Sequence, residues 1–256
     1  MEHVCEEVRE LVDKYHVDSI QVWDDLFTYN KKRLRKIAEV LKEEGVTEKV
    51  QFSCQSRANL VDDELCEILQ DINVKAVGFG FESGSDKTLG YLKKGTVTVE
   101  QNRRAIQMCK KHGFKVFGSL MFGSPGETLD DMKQTLDLID FMKENDANLI
   151  WAFVTTPFPG TEIWEIAKQK GVVSDDMDWN ELDHSNVDNP MLLDDSVSKD
   201  EFKKVFEEAK QRIFVYFEMP YWHRPISWML KQGATNPKRG LEVLSKVLKN
   251  RLMVKS

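Results

Sequence analysis

The residues of this sequence best suited to chemistry lie in Val77-Gly78-Phe79-Gly80-Phe81-Glu82-Ser83-Gly84-Ser85, where a carboxylate and a hydroxyl end a run of alternating bulky and bare positions. Apolar side chains at 77, 79 and 81 and glycines at 78 and 80 have the two-residue period of a strand. One face of that strand would pack on helices, and the other would be almost empty until Glu82. Glycine on a strand face allows close approach to the backbone. Glu82 shares the glycine parity, so it is placed to accept hydrogen bonds from whatever approaches. A carboxylate merely turning into solvent would leave that shared parity unexplained.

Similar endings recur along the chain. Residues 20–25 (IQVWDD) read as a strand closing on Asp24 and Asp25, 50–57 (VQFSCQSR) as one closing on Arg57, and 114–123 (FKVFGSLMFG) as one closing on Gly123 before a tight turn at 124–128. Helical patterns stand between them at 31–44, 62–72 and 98–112, and from the turn to about 145, with Gly45, Thr98 and Gly113 where caps are expected. A loop at 85–95 follows the Glu82 strand. A strand at 147–156 and a helix ending near Gly171 continue the alternation. A helix over 2–16, with Val4, Val8, Leu11, Val12 and Tyr15 on its apolar face, precedes everything.

Repeated strand and helix units imply a parallel sheet with right-handed crossovers. Five strands fit a doubly wound sheet or a partial (β/α) barrel. The loop after the first strand, Asp24-Asp25-Leu26-Phe27, is acidic where a dinucleotide-binding sheet would be glycine-rich. Polar groups instead gather at successive strand ends, as they do around a barrel mouth, so the barrel is expected.

Composition limits the partners. The 256 residues, 41% hydrophobic and 31% charged, are enough for one sizeable core, and a net charge of -7 gives no footprint for nucleic acid or anionic membrane. A small-molecule substrate is expected. No apolar run reaches the roughly 18 residues of a membrane span, and a cytoplasmic location follows as an expectation. Cys5, Cys54, Cys66 and Cys109 show no paired spacing, so no metal site is expected of them and packing is the expected role. Past Gly171 the character changes: 174–200 is acidic and turn-rich, 199–217 carries an amphipathic stripe (Phe202, Val205, Phe206, Ala209, Phe214), and the end holds Tyr221, Trp222, His223 and Trp228 before a basic helix at about 237–252. The expected division is a barrel at 1–171 and an acidic linker with a helical C-terminal extension at 172–256.

The succession DDLF, CQSR, GFGFESGSDKTLGYLKKG, GSLMFGSPGET and PFPGT, in this order and at these intervals, resembles a radical S-adenosylmethionine enzyme core from its second strand onward. The group it resembles often carries an upstream cobalamin (B12)-binding domain. The resemblance covers about residues 1–171 and implies a partial (β/α)6 TIM-like barrel, here lacking its first strand. It also implies reductive cleavage of S-adenosylmethionine at a 4Fe-4S cluster to begin radical chemistry. That cluster is held in the family by CxxxCxxC after the first strand, and neither strand nor motif occurs in this sequence. The expectation is a piece of a longer enzyme that is inactive alone, its partner the upstream part or a B12-binding domain. A noncatalytic S-adenosylmethionine-binding or scaffold module that has lost its cluster is the alternative. A metal-dependent hydrolase using Asp24, Asp25 and Glu82 is the weakest, because none of the five histidines ends a predicted strand.

Residue roles follow from the resemblance alone. Asp24 and Asp25 match the strand end that meets the amino group of the methionine moiety, with DD standing where the family has glycine-glycine-glutamate. Arg57 matches an arginine suited to the methionine carboxylate. Glu82 and Ser83 match the ribose contact. Residues 118–123, ending at Gly123, match the strand that packs on adenine. No catalytic residue is assigned.

Overall fold

The five strands pair only with their neighbours in sequence. β1 (Ser19–Gln21), β2 (Gln51–Ser56), β3 (Val74–Glu82), β4 (Lys115–Phe122) and β5 (Leu149–Val154) form one parallel sheet in the order β1-β2-β3-β4-β5. A doubly wound sheet would reverse its order at a switch point, whereas unbroken succession belongs to the (β/α) barrel, and the sheet curls into a half-barrel. The computed structural model describes residues 2–217, and side chains over 3–213. Phe214's side chain, Tyr221, Trp222, His223, Trp228 and the helix expected at 237–252 lie outside the described residues. By internal contacts the chain divides into Met1–Lys210 and Gln211–Ser256. Of the second unit the helical backbone to Phe217 and the side chains of 211–213 are described.

Eight α-helices are present among the described residues: α1 (Glu2–Tyr15), α2 (Lys31–Glu43), α3 (Asp63–Asp71), α4 (Asp86–Leu92), α5 (Val99–Lys111), α6 (Leu129–Glu144), α7 (Glu162–Gln169) and α8 (Lys199–Phe217). Their starts are written in short polar side chains. Asn30, Asp62, Ser85, Thr98, Thr128 and Thr161 each accept a hydrogen bond from a first-turn N–H, and Thr98 with Gln101 and Thr128 with Asp131 form reciprocal capping boxes. The loop expected at 85–95 is thus mostly α4, started by the Ser85 cap.

Strand alternation decides what faces the helices. On β4, Val116, Gly118, Leu120 and Phe122 are buried while Phe117, Ser119 and Met121 are half-buried, so the even positions meet the helical layer and the odd ones line the concave face. Leu34 and Leu41 of α2, Leu65 of α3, Ile106 of α5 and Leu136 and Ile139 of α6 complete the core. β1 is shorter than the expected 20–25: Val22 N still donates to Ser53 O, but Asp24 Oδ1 then accepts from Leu26 N at 3.0 Å and turns the chain. The buried face of α1 is also narrower than expected, with Cys5 and Val8 inside and Val4 and Tyr15 exposed.

The acidic segment and the first turns of α8, up to Lys210, are seated against this scaffold. Leu193 packs with Trp164, Ala167 and Val173, and Phe206 of α8 stacks on Phe202 and meets Phe122 edge-on at 5.5 Å. Beside them the turn after β4 closes around Glu127, which is buried. Glu127 Oε2 accepts from Gly123 N at 2.6 Å and Ser124 N at 3.1 Å, and Oε1 is buried with no partner. Burial pushes its carboxyl up to about 7, outweighing both backbone donors.

A carboxyl raised in the fold stays protonated there while the unfolded chain ionises. Its contribution to stability is therefore full below the ordinary value of 4.5 and is lost as pH rises through about 7. Glu127→Gln is expected to flatten the pH dependence in this window by on the order of 3 kcal/mol, because the amide keeps an acceptor for the two N–H groups and carries no charge. Denaturant unfolding of both proteins from pH 4 to 8 checks this; parallel stability curves contradict it.

Candidate functional site

The concave face is organised by an irregularity at the end of β3. Gly80 pairs with Ser119 and Glu82 with the next residue, Leu120, so Phe81 is the extra residue of a bulge. Glu82 takes φ +61°, a left-handed conformation that costs a residue with a β-carbon roughly 1–2 kcal/mol. Phe81 remains fully buried, stacked on Phe79 at 5.0 Å, while Asn102 Nδ2 of α5 donates to its carbonyl. The bulge redirects Glu82 back along the strand. Its carboxylate lies over Gly80, where an added β-carbon would overlap Oε1. Gln55 of β2 covers Gly78 in the same way. The bare glycine parity thus receives two of the chain's own polar side chains.

A path of hydrogen bonds, bridged by the Lys93 residue from its backbone to its ammonium, joins the ends of β2 and β3. Arg57 Nη2 donates to Thr96 Oγ1 at 2.7 Å, Thr96 Oγ1 donates to Lys93 O at 2.6 Å, and Lys93 Nζ donates to Glu82 Oε1 at 2.9 Å. The Lys93 and Glu82 side chains are 26% and 16% exposed, so the pair is sheltered yet reachable from the open face. The result is a guanidinium, an ammonium and a carboxylate at adjacent strand ends, beside the amide of Gln55. Such a set can hold a zwitterionic ligand that carries hydroxyls.

The other expected residues are placed differently. Asp24 caps the turn after β1 and lies 3.4 Å from Arg33 of α2, and Asp25 is exposed on the same turn. Ser83 does not reach the open face: it is fully buried, and its hydroxyl lies 3.0 Å from Thr135 Oγ1 of α6. Its parity with Phe79 and Phe81 explains this. Gly123, with φ +83°, is buried beneath Leu192 and Phe202, either of which an added β-carbon would crowd, and Gly118 is bare because Phe81 and Met142 fill the space beside it. Ser119 and Met121, with Phe117, are the half-buried β4 residues that face inward. Lys93, Thr96 and Gln55 escape the sequence reading. The Ser85-Asp86 cap was the available signal, because α4 is what carries Lys93 back to the end of β3.

The cysteines do not fit an iron–sulfur cluster. All four are buried, and burial pushes the thiols of Cys54 and Cys66 up to about 12 and about 11 and that of Cys109 upward, the reverse of what a thiolate ligand needs. Among the described residues no group of three or more His, Cys, Asp or Glu side chains could hold a metal ion; Asp24 and Asp25 stand on the turn after β1, and Glu82 is paired with Lys93 at the end of β3. Among the same residues no helix is long and apolar enough to cross a membrane.

Comparison with known proteins agrees with this architecture. The Radical SAM superfamily pattern matches residues 1–139. An uncharacterized methyltransferase of Pyrococcus horikoshii is 32% identical over 193 residues, 75% of this chain and 40% of that protein. Among solved structures, the radical S-adenosylmethionine methyltransferase TsrM from Kitasatospora setae, with cobalamin and a 4Fe-4S cluster bound, has a TM-score of 0.59 at 21% identity, over 79% of this chain and 37% of its own. The cobalamin-dependent S-adenosylmethionine radical enzyme OxsB, with aqua-cobalamin bound, has a TM-score of 0.62 at 16% identity, over 98% and 41%. At these identities the two structures establish the fold. The chain spans less than half the length of each of these proteins. With the pattern running through more than half of its residues and a sequentially ordered half-barrel beneath it, the chain belongs to the radical SAM superfamily of enzymes.

Proposed function

We propose that the concave face binds S-adenosylmethionine, with Glu82 as the ribose acceptor. The observation that carries this reading is the path from Arg57 through Thr96 and Lys93 to Glu82, which aligns opposite charges at two adjacent strand ends. Lys93 engages Oε1 of Glu82, and the second carboxylate oxygen is the acceptor for a ribose hydroxyl. Arg57 offers its fork to the methionine carboxylate. Asp24 and Asp25 draw the ammonium electrostatically, and adenine lies along β4 over Ser119 and Met121, towards Gly123. Ser83 supports the site through α6 and makes no ligand contact. S-adenosylmethionine supplies, when bound and reductively cleaved, the radical from which the superfamily's chemistry starts.

In this reading the chain is the nucleoside-binding part of a radical enzyme acting on a small molecule, with cluster thiolates supplied by residues other than its four cysteines. A separate cobalamin-binding domain is the partner that the group's methyltransferases favour. The burial of every cysteine also favours a second reading, a binding module that holds S-adenosylmethionine without a cluster.

Two outcomes are expected. Glu82→Gln keeps size and removes charge, so it should weaken S-adenosylmethionine binding by about tenfold to a hundredfold, the equivalent of a charge-assisted hydrogen bond of roughly 1.5–3 kcal/mol. Calorimetric titration of both proteins measures it, and equal affinities would remove Glu82 from the site. Anaerobic reconstitution of this chain with iron and sulfide should leave it without the broad visible absorption of a cluster. Stoichiometric iron and sulfide bound to the chain would show the thiols to be available after all.

A further inference from the structure

The segment that follows Glu82 is held by residues far from it in sequence. After the bulge the chain crosses to α6, where Ser83-Gly84-Ser85 is fixed at every step. Ser83 Oγ lies 3.0 Å from Thr135 Oγ1, and that hydroxyl also takes the hydrogen bond of Gly84 N at 3.0 Å. Ser85 N donates to Ser83 Oγ at 3.1 Å. Gly84 lies so close to α6 that any β-carbon would overlap the backbone carbonyl of Gln134.

The one charged group in this buried set is Asp131. Its Oδ1 accepts from Ser85 Oγ at 2.6 Å, and its Oδ2 accepts from Thr128 N at 2.9 Å, Thr128 Oγ1 at 2.6 Å and Lys87 Nζ at 3.0 Å. Burial pushes this carboxyl up, but the hydrogen bonds from Ser85, Thr128 and Lys87 outweigh it and hold Asp131 well below the usual carboxylate range. Asp131 therefore ties the start of α6 and the start of α4 to one point. The start of α4 fixes Lys93 at its other end, and the segment before it fixes Glu82. A left-handed conformation at a residue with a β-carbon persists only where its flanks over-determine it, and Asp131 is the charged acceptor among the groups that hold those flanks.

We propose that Asp131 is the positioning residue that holds Glu82 against Lys93 and so presents its carboxylate to the concave face. The consequence for ligand binding rests on the S-adenosylmethionine reading above; the placement of Glu82 does not. Asp131→Asn keeps the volume but leaves one oxygen for four donors, so either Ser85 or the Thr128–Lys87 side loses its acceptor.

The test labels lysines with an amine-reactive reagent and reads each site by peptide mass spectrometry, in the full chain and its Asp131→Asn, Glu82→Gln and doubly substituted forms. Lys93 should label several-fold faster than in the unsubstituted chain in either single variant, and no faster in the double than in Glu82→Gln alone. Lys94, paired instead with Glu162, should not change and serves as the internal control. An Asp131→Asn rate equal to that of the unsubstituted chain overturns the proposal, as does a Glu82→Gln variant in which Lys93 is no more reactive. Should Asp131→Asn not fold by circular dichroism, Ser85→Ala, which removes the donor to Asp131 Oδ1 together with the α4 cap, is read by the same criteria. S-adenosylmethionine affinity is measured on the same set, where Asp131→Asn should weaken binding in the Glu82 background and not in the Gln background. If labelling behaves as expected while Glu82→Gln leaves affinity unchanged, the positioning stands and the ligand reading fails.

Discussion

The reversal of the chain at Glu82 is the constraint on which the open face depends. A parallel strand normally hands its last side chain to one face or the other and leaves the sheet; β3 instead inserts an extra residue, turns through φ +61° and folds a carboxylate back over its own glycine. Phe81 can be that extra residue because it is fully buried against Phe79 and its carbonyl is held by Asn102. The strain at Glu82 is carried by buried hydrogen bonds on the α6 side, where Ser83, Gly84 and Ser85 have no alternative partners in water. Strained residues kept in place this way are concentrated where proteins bind ligands.

Glycine has two different uses around this point. Gly78 and Gly80 make room for Gln55 and Glu82 on the concave side, whereas Gly84 and Gly118 make room for α6, Met142 and Phe81 on the helical side. The first pair shapes the ligand-facing surface and the second sets how closely α6 approaches the sheet. Because α6 begins at the Glu127 turn and carries Asp131, the same helix connects the end of β3 with the turn after β4. Loops at two strand ends are thus fixed by one element, which is what a barrel needs to present separate loops as a single surface.

Much of this was legible in the sequence. The two-residue period of 77–82 placed Glu82 with the glycines, and the capping residues Thr98, Gly45 and Gly113 marked helix ends that the structure keeps. Ser83 was expected beside Glu82 at the ligand; it shares the parity of Phe79 and Phe81 and lies buried against α6. The end of β1 was not legible, since IQVWDD reads as a strand until Asp24 takes the Leu26 N–H and turns the chain. Nor was the partnership of Glu82 with Lys93, eleven residues on, because it requires knowing that 86–92 is a helix of the length that returns Lys93 to the strand end.

The central claim is that the ligand meets the ends of β2 and β3 on the concave face. Hydrogen–deuterium exchange of the chain with and without saturating S-adenosylmethionine tests it most directly, because it reports position without requiring turnover. Slower exchange is predicted in peptides covering 55–57, 78–84 and 93–96, with the outer surfaces of α2 and α3 unchanged. Protection confined to other parts of the chain, or none at a concentration shown to saturate binding, would contradict the account.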